Sequence, residues 1–215
     1  MISNFPRAVF RYLPLLLPIV AVGFRGESAE DVLSKVQKKY ETVHDASVNF
    51  TQHVRFGVMN TEQSFTGRFL MKKGGMYRIE GEEQTIVTDG HSVWTYSRDN
   101  HQVVVDVYRD DPKSFSPDKV LVNVPKNYYA TLLPDEENKD DTAVLKLTPK
   151  DEKSQIKWMK VWINRADWLM RKIQLQDISD NLTTYTLSDI RLNTNLQDSV
   201  FRFSPPAGVE VIDLR

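Results

Sequence analysis

The chain has 215 residues, with 28 Lys and Arg against 29 Asp and Glu, a formal charge of −1. That balance lacks the basic surface that sequence-blind nucleic-acid binding requires, and a 40% hydrophobic content is that of a folded globular protein rather than a disordered tail. Cysteine is absent, which excludes disulfides, thiolate nucleophiles, Cys-ligated zinc, iron–sulfur clusters and any lipid carried on a cysteine.

Arg7 and Arg11 precede an apolar run from Leu13 to Phe24, interrupted by Pro14 and Pro18. A basic start, a short apolar stretch and small residues at Ala21 and Gly23 predict a cleavable export signal over 1–23. The run is shorter than the ~20 residues that a membrane-spanning helix needs. A single domain is expected over 24–215, in the periplasm.

Ser28 to Thr42 predicts an amphipathic helix. Ser28 is placed to cap it, and Asp31 lies in the first turn, where a carboxylate suits the helix dipole. Val32, Leu33, Val36, Tyr40 and Val43 form one apolar stripe.

After His44 the period changes from 3.6 to 2. Ala46, Val48, Phe50, Gln52, Val54, Phe56 and Val58 form one face of a long strand. Phe65, Gly67, Phe69 and Met71 form a second, which Gly74-Gly75 ends with a turn. Strands follow from Tyr77, over 84–88, 92–96 and 101–108. Asp89-Gly90 reads as a type I′ hairpin with positive φ at both residues. The pattern is an antiparallel meander. Residues 109–142 interrupt it with Pro112, Pro117, Pro125 and Pro134, and predict short helices over Lys119–Val124 and Asn127–Leu133. Such an insert is more often a lid or binding loop than filler. Strands resume over 143–148, 156–163, 168–177 and 182–192, and Phe201–Val209 predicts a short edge strand stopped by proline.

No nucleophile elbow, phosphate-binding glycine loop or His-Glu-x-x-His pair occurs. His44, His53, His91 and His101 have no metal-ligand spacing. The expectation is a protein that is not an enzyme and holds no cofactor or metal; a hydrolase with an unrecognised site is the minor alternative. A sheet with one apolar face buries it against its own side chains, a helix, a lid or an apolar ligand. Trp158, Lys160 and Trp162 share one face of their strand, and Met159, Val161 and Ile163 share the other. Such a strand lies between two layers or shows tryptophan to a partner.

Four stretches carry a resemblance: Ser47-Val48-Asn49-Phe50-Thr51-Gln52; Gly67-Arg68-Phe69-Leu70-Met71-Lys72-Lys73; Thr85 to Gly90 with Val93-Trp94-Thr95-Tyr96; and Phe201 to Val209 with Pro205-Pro206. In this order the chain resembles the LolA family, the outer-membrane lipoprotein carriers of the Gram-negative periplasm. The resemblance implies a mainly β fold with a few helices: an incomplete antiparallel half-barrel, with an N-terminal amphipathic helix and lid helices over a concave apolar face. It implies a monomeric chaperone for lipoprotein transport that takes acylated lipoproteins from an inner-membrane ABC transporter and delivers them to the outer membrane. An acceptor lipoprotein of the LolB type would receive them there; the lack of cysteine argues against this chain being that acceptor. The competing reading is a periplasmic lipid or lipoprotein sensor of the same fold.

Alternation and resemblance together assign the lipid-binding lining to Phe50, Val54, Phe69, Met71, Tyr77, Ile79, Met159, Val161, Ile163, Ile173 and Leu175. They assign the lid's apolar contacts to Val120, Leu121, Val122, Tyr129, Leu132 and Leu133. Lys73 stands where the family has a lid-latching arginine, and Gly74 where it has proline. Lysine lacks the guanidinium fork, so the implied latch is a weak one.

Overall fold

Short turns join strands that are rich in β-branched and aromatic residues, so most strands find their partner next along the chain. The computed structural model describes residues 26–59, 61–109, 124, 126–134 and 141–215. The expected export signal lies outside them. Helix α1 (Ala29–Glu41) is capped by Ser28, whose hydroxyl accepts the Asp31 amide while the Asp31 carboxylate accepts the Ser28 amide. This reciprocal box satisfies two donors that the first turn leaves unpaired.

Twelve strands follow: β1 (Asp45–Phe56), β2 (Thr61–Lys72), β3 (Met76–Gly81), β4 (Gln84–Asp89), β5 (Ser92–Ser97), β6 (Gln102–Val107), β7 (Tyr128–Leu133), β8 (Thr142–Pro149), β9 (Ile156–Asn164), β10 (Met170–Asp177), β11 (Leu182–Leu192) and β12 (Glu210–Asp213). They form one open sheet in the order β12-β6-β5-β4-β3-β2-β1-β11-β10-β9-β8-β7. Every neighbouring pair is antiparallel except β12 on β6, which is parallel. β1 joins the two meanders, pairing with β2 through a hairpin and with β11 from the far end of the chain. The sheet is an incomplete barrel with β12 and β7 at its two edges. The connection from β6 to β7 therefore leads from one end of the sheet to the other.

Opposed residues in an antiparallel ladder share a face. Face membership thus passes from strand to strand: Val161 to Ile173, Ile173 to Tyr185, Tyr185 to Gln52, Gln52 to Phe65. On this inner face α1 lies over β8–β10. Val32, Leu33 and Val36 pack there with Leu145, Leu147, Met159, Val161, Ile163, Met170 and Ile173 in one buried cluster. Salt links between Glu27 and both Lys35 and Arg165 fix the start of the helix.

The outer face is covered at β2–β6 by the chain after β11. A 3₁₀ turn (Asp198–Phe201) lies against β3 and β4, and Phe201 is fully buried there, as are Leu70, Val87 and Val103. Lys72 donates to the Leu196 carbonyl at 2.9 Å and Arg78 to that of Val200 at 3.3 Å. Buried Asp45 holds the start of this segment. Its carboxylate accepts the amides of Thr194 (2.8 Å) and Asn195 (3.0 Å) and the Thr194 hydroxyl (3.0 Å).

Several expectations are corrected here. β1 ends at Phe56, so Val58 lies in the turn and not on the strand. Phe201–Val209 is no strand: Pro205 and Pro206 have no amide to donate, and the edge strand forms after them as β12. At Asp89-Gly90 only Gly90 takes positive φ, 89°; the Asp89 carboxylate instead accepts the amides of His91 and Ser92, both at 2.9 Å. Residues 128–133 form β7 and not a helix, because Tyr128, Ala130 and Leu132 alternate with Tyr129, Thr131 and Leu133 at period 2 and pair with β8.

Gly67 shows how closely the inner face is fitted. A Cβ there would lie 2.5 Å from the Phe50 ring and 2.6 Å from the Glu80 carbonyl oxygen. Gly67→Ala is therefore expected to lower stability by about 1–3 kcal/mol, since the Glu80 backbone cannot move without straining the β2–β3 ladder. Urea denaturation checks this, and an unchanged midpoint would show that the sheet absorbs the methyl group.

Candidate functional site

The register places Phe50, Val54, Phe69, Met71, Tyr77, Ile79, Met159, Val161, Ile163, Ile173 and Leu175 on one face of the sheet. Burial separates them into two groups. Met159, Val161, Ile163 and Ile173 are fully buried beneath α1 and form part of its seat. Phe50, Val54, Phe69, Met71, Tyr77, Ile79 and Leu175 are only half-buried. The inner face thus has a plugged half at β8–β10 and a more accessible half at β1–β5.

The accessible half has a sharp chemical character. Its inner positions are Ala46, Val48, Phe50, Gln52, Val54 and Phe56 on β1, and Thr61, Gln63, Phe65, Gly67, Phe69 and Met71 on β2. Tyr77, Ile79 and Gly81 follow on β3, Gln84, Ile86 and Thr88 on β4, and Val93, Thr95 and Ser97 on β5. None is charged. The outer positions of the same strands hold Asp45, Arg55, Glu62, Arg68, Lys72, Arg78, Glu80 and Asp89. Alternation at period 2 sends every Asp, Glu, Lys and Arg of these strands, and the histidine, to the other side.

Aromatic rings line this half in contact with one another. Phe69 and Tyr77 lie 6.5 Å apart, Tyr77 and Tyr108 6.4 Å, and Phe50 and Tyr185 6.5 Å, the last two edge to face. Tyr108 packs over Gly75, where a Cβ would come 2.8 Å from its ring and where φ is +77°. Burial pushes the phenols of Tyr185 and Tyr128 up from their ordinary range, so both stay neutral near pH 7. Among the described residues no group of three His, Asp or Glu side chains is placed to hold a metal ion.

The other assigned residues fare differently. Val120, Leu121 and Val122 lie outside the described residues. Val124, at the described end of the insert, is helical and fully buried in the α1 cluster. Tyr129, Leu132 and Leu133 belong to edge strand β7. Leu132 packs against the core on the inner face, whereas Tyr129 and Leu133 point to the outer one. The Lys73 ammonium donates at 2.9 Å to the carbonyl of Glu41, the last residue of α1. A cation at a helix C-terminus is a favourable partner for its unpaired carbonyls. Among the described residues, then, Lys73 ties down the end of α1. Residue-by-residue alternation gave no sign of α1's position over β8–β10, which depends on three-dimensional packing.

An open antiparallel sheet with half of its apolar face plugged by a helix and the other half uncharged is the framework of a half-barrel binding protein. The pattern of the family described as outer membrane lipoprotein carrier protein LolA matches residues 41–204, and the chain belongs to that family. It is 30% identical over 206 residues to the outer-membrane lipoprotein carrier protein of Actinobacillus pleuropneumoniae serotype 3, covering 93% of each chain. It is 26% identical over 204 residues to that of Histophilus somni, covering 93% of this chain and 96% of the relative. A solved structure of an uncharacterized conserved protein from Thermus thermophilus shares the fold, with a TM-score of 0.53 at 16% identity, covering 86% of this chain and 98% of the other. The family is one of carriers and not of catalysts.

Proposed function

We propose that the uncharged half of the inner face binds the acyl chains of lipoproteins, and that the protein carries them through the periplasm from the inner membrane to the outer. The observation that carries this reading is the complete absence of charged side chains from the inner positions of β1–β5, beside their abundance on the outer positions. A charge there would lose its hydration to a bound acyl chain without compensation. The names of the related carrier proteins support the same cargo.

The energetics suit a shuttle. Each acyl CH₂ taken from water contributes ~0.8 kcal/mol, so lipid chains cannot cross an aqueous compartment unshielded. Release requires that the binding surface be adaptable. Met71 and loosely stacked rings repack easily around chains of different shape. An inner-membrane lipoprotein-releasing ABC transporter is the donor in this reading, and an outer-membrane acceptor lipoprotein is the receiver. The insert over 109–142 is proposed to cover the uncharged half when no cargo is bound, with α1 as a fixed plug beside it.

Mass spectrometry of what co-purifies with the protein from periplasm tests the reading. Acylated lipoproteins are expected. Recovery of free lipids alone, or of nothing under conditions that preserve such complexes, would overturn it.

A further inference from the structure

Two glycines meet on the accessible half of the inner face. Gly67 on β2 is opposed to Gly81 on β3, so two neighbouring inner positions carry no side chain. The Phe50 ring leans over Gly67 from β1 and fills part of that gap. The space above Gly81 stays open. Phe69 and Ile79 border it on one side, and Phe65, 39% exposed, borders it on β2 on the other. The result is a notch of about one strand spacing, roughly 5 Å, between apolar walls.

The backbone explains one of these glycines and not the other. At Gly67 a Cβ would strike the Phe50 ring and the Glu80 carbonyl oxygen. Gly81 has no such constraint. Its φ is not positive. Among the described residues, a Cβ there would meet only the carbonyl oxygens of Gln84 at 3.5 Å and Thr66 at 3.9 Å, which are ordinary contacts. A glycine inside a strand weakens it, and one that the backbone does not require marks a place where another group comes close to the main chain. That group must lie on the inner side, where a side chain at 81 would point. The depression lined by Asn49, Thr66, Arg68, Glu80 and Ser188 opens on the outer face and does not account for the glycine. The floor of the notch is fixed in place. The Arg98 guanidinium donates to the Gly81 carbonyl at 2.6 Å and to the Thr85 hydroxyl at 3.1 Å.

We propose that the notch above Gly81 is an acyl subsite, in which a hydrocarbon chain lies directly on the backbone of β3 between Ile79, Phe65 and the Phe50 ring. This rests on the acyl-carrier reading and deepens it, since Gly81 then determines how closely a chain approaches the sheet. The occupant has to be apolar and slender. The walls are apolar, and no Asp, Glu, Lys, Arg or His stands at an inner position of β1–β5 to hold a charged ligand. A gap one side chain wide admits a hydrocarbon chain and excludes the surface of a folded protein.

Titration with a fluorescent palmitoyl probe, run on the wild type, Gly81→Ala, Gly81→Leu and Thr66→Leu, tests the proposal. Gly81→Leu fills the notch and should bind the probe at least about tenfold more weakly. Gly81→Ala adds one methyl group and should fall between it and the wild type. Thr66→Leu places the same leucine on the outer face of the facing strand and should bind as the wild type does. The thermal midpoints of both Gly81 variants should equal or exceed that of the wild type, because any other residue costs less than glycine to order in a strand. Lowered midpoints in both would show that the backbone requires this glycine, and would overturn the proposal. So would equal or tighter probe binding by Gly81→Leu, the result expected if the notch seats a side chain of this protein instead. A wild type that does not bind the probe would sink the acyl-carrier reading and this one with it. A wild type and a Gly81→Leu variant that bind equally well would remove the subsite and leave that reading standing.

Discussion

Phe69→Glu is expected to fold and to lose acyl binding by at least about a hundredfold. Phe69 sits at the centre of the uncharged half, between Val48 on β1 and Ile79 on β3, with the Tyr77 ring 6.5 Å away. It is only half-buried, so a glutamate can reach water in the empty protein and the stability loss should be modest. With an acyl chain in place that route closes. The carboxylate then gives up its hydration with no cation among the inner positions of β1–β5 to offset it, a penalty of several kcal/mol. Titration with a fluorescent palmitoyl probe reads the change. Thr66→Glu is the control: Thr66 is exposed on the outer face of the same strand, and a charge there should leave binding intact. Wild-type affinity in a folded Phe69→Glu protein would remove the inner face from consideration as the acyl site.

Asp45→Ala is expected to cost about 1–2 kcal/mol and to lower the melting temperature by roughly 2–8 °C. The substitution takes the acceptor from the amides of Thr194 and Asn195 and from the Thr194 hydroxyl, and leaves a void where the buried carboxylate stood; both partner residues are exposed, so water can replace part of what is lost. The effect should extend along the outer face, because this segment leads to Phe201 and its cover over Leu70, Val87 and Val103. Hydrogen exchange should accelerate at 194–201 before it does so at β8–β10. The pH dependence has a definite sign. Burial pushes the Asp45 carboxyl up, but the hydrogen bonds from Thr194, Asn195 and Leu196 outweigh it and hold the group below its ordinary value. A carboxyl whose folded pKa is depressed contributes stability above its unfolded value of about 3.9, and that contribution disappears as pH falls through the folded value. The wild-type advantage over Asp45→Asn should therefore hold from neutrality down to about pH 4 and shrink below it. A constant difference across that range would show that the carboxylate's charge is not what holds the segment.

The period-2 alternation determined much about this protein without any coordinates. Because successive side chains of a strand point to opposite faces, parity separates Phe69 from Arg68 on one strand and Tyr77 from Arg78 on another, whatever the strands pair with; that Phe50, Phe69, Tyr77 and Met159 share one face is set by the pairing register. Helix α1 was equally legible, since its Ser28–Asp31 box and its stripe through Val32, Leu33 and Val36 are local signals. The tertiary structure decided what pairs and what covers. Nothing local announces that β1 meets β11, some 130 residues away along the chain, or that α1 lies over β8–β10 and turns four expected lining residues into its seat. Residues 127–133 read locally as a short helix, and pairing with β8 makes 128–133 a strand. Phe201 looked like a strand residue until its fit against the outer face drew it into a 3₁₀ turn. Lys73 reaches the carbonyl at the end of α1, because a flexible lysine donates to whichever carbonyl the fold brings near it. Local chemistry set each residue's options, and long-range packing, which depends on shape and burial across distant segments, selected among them.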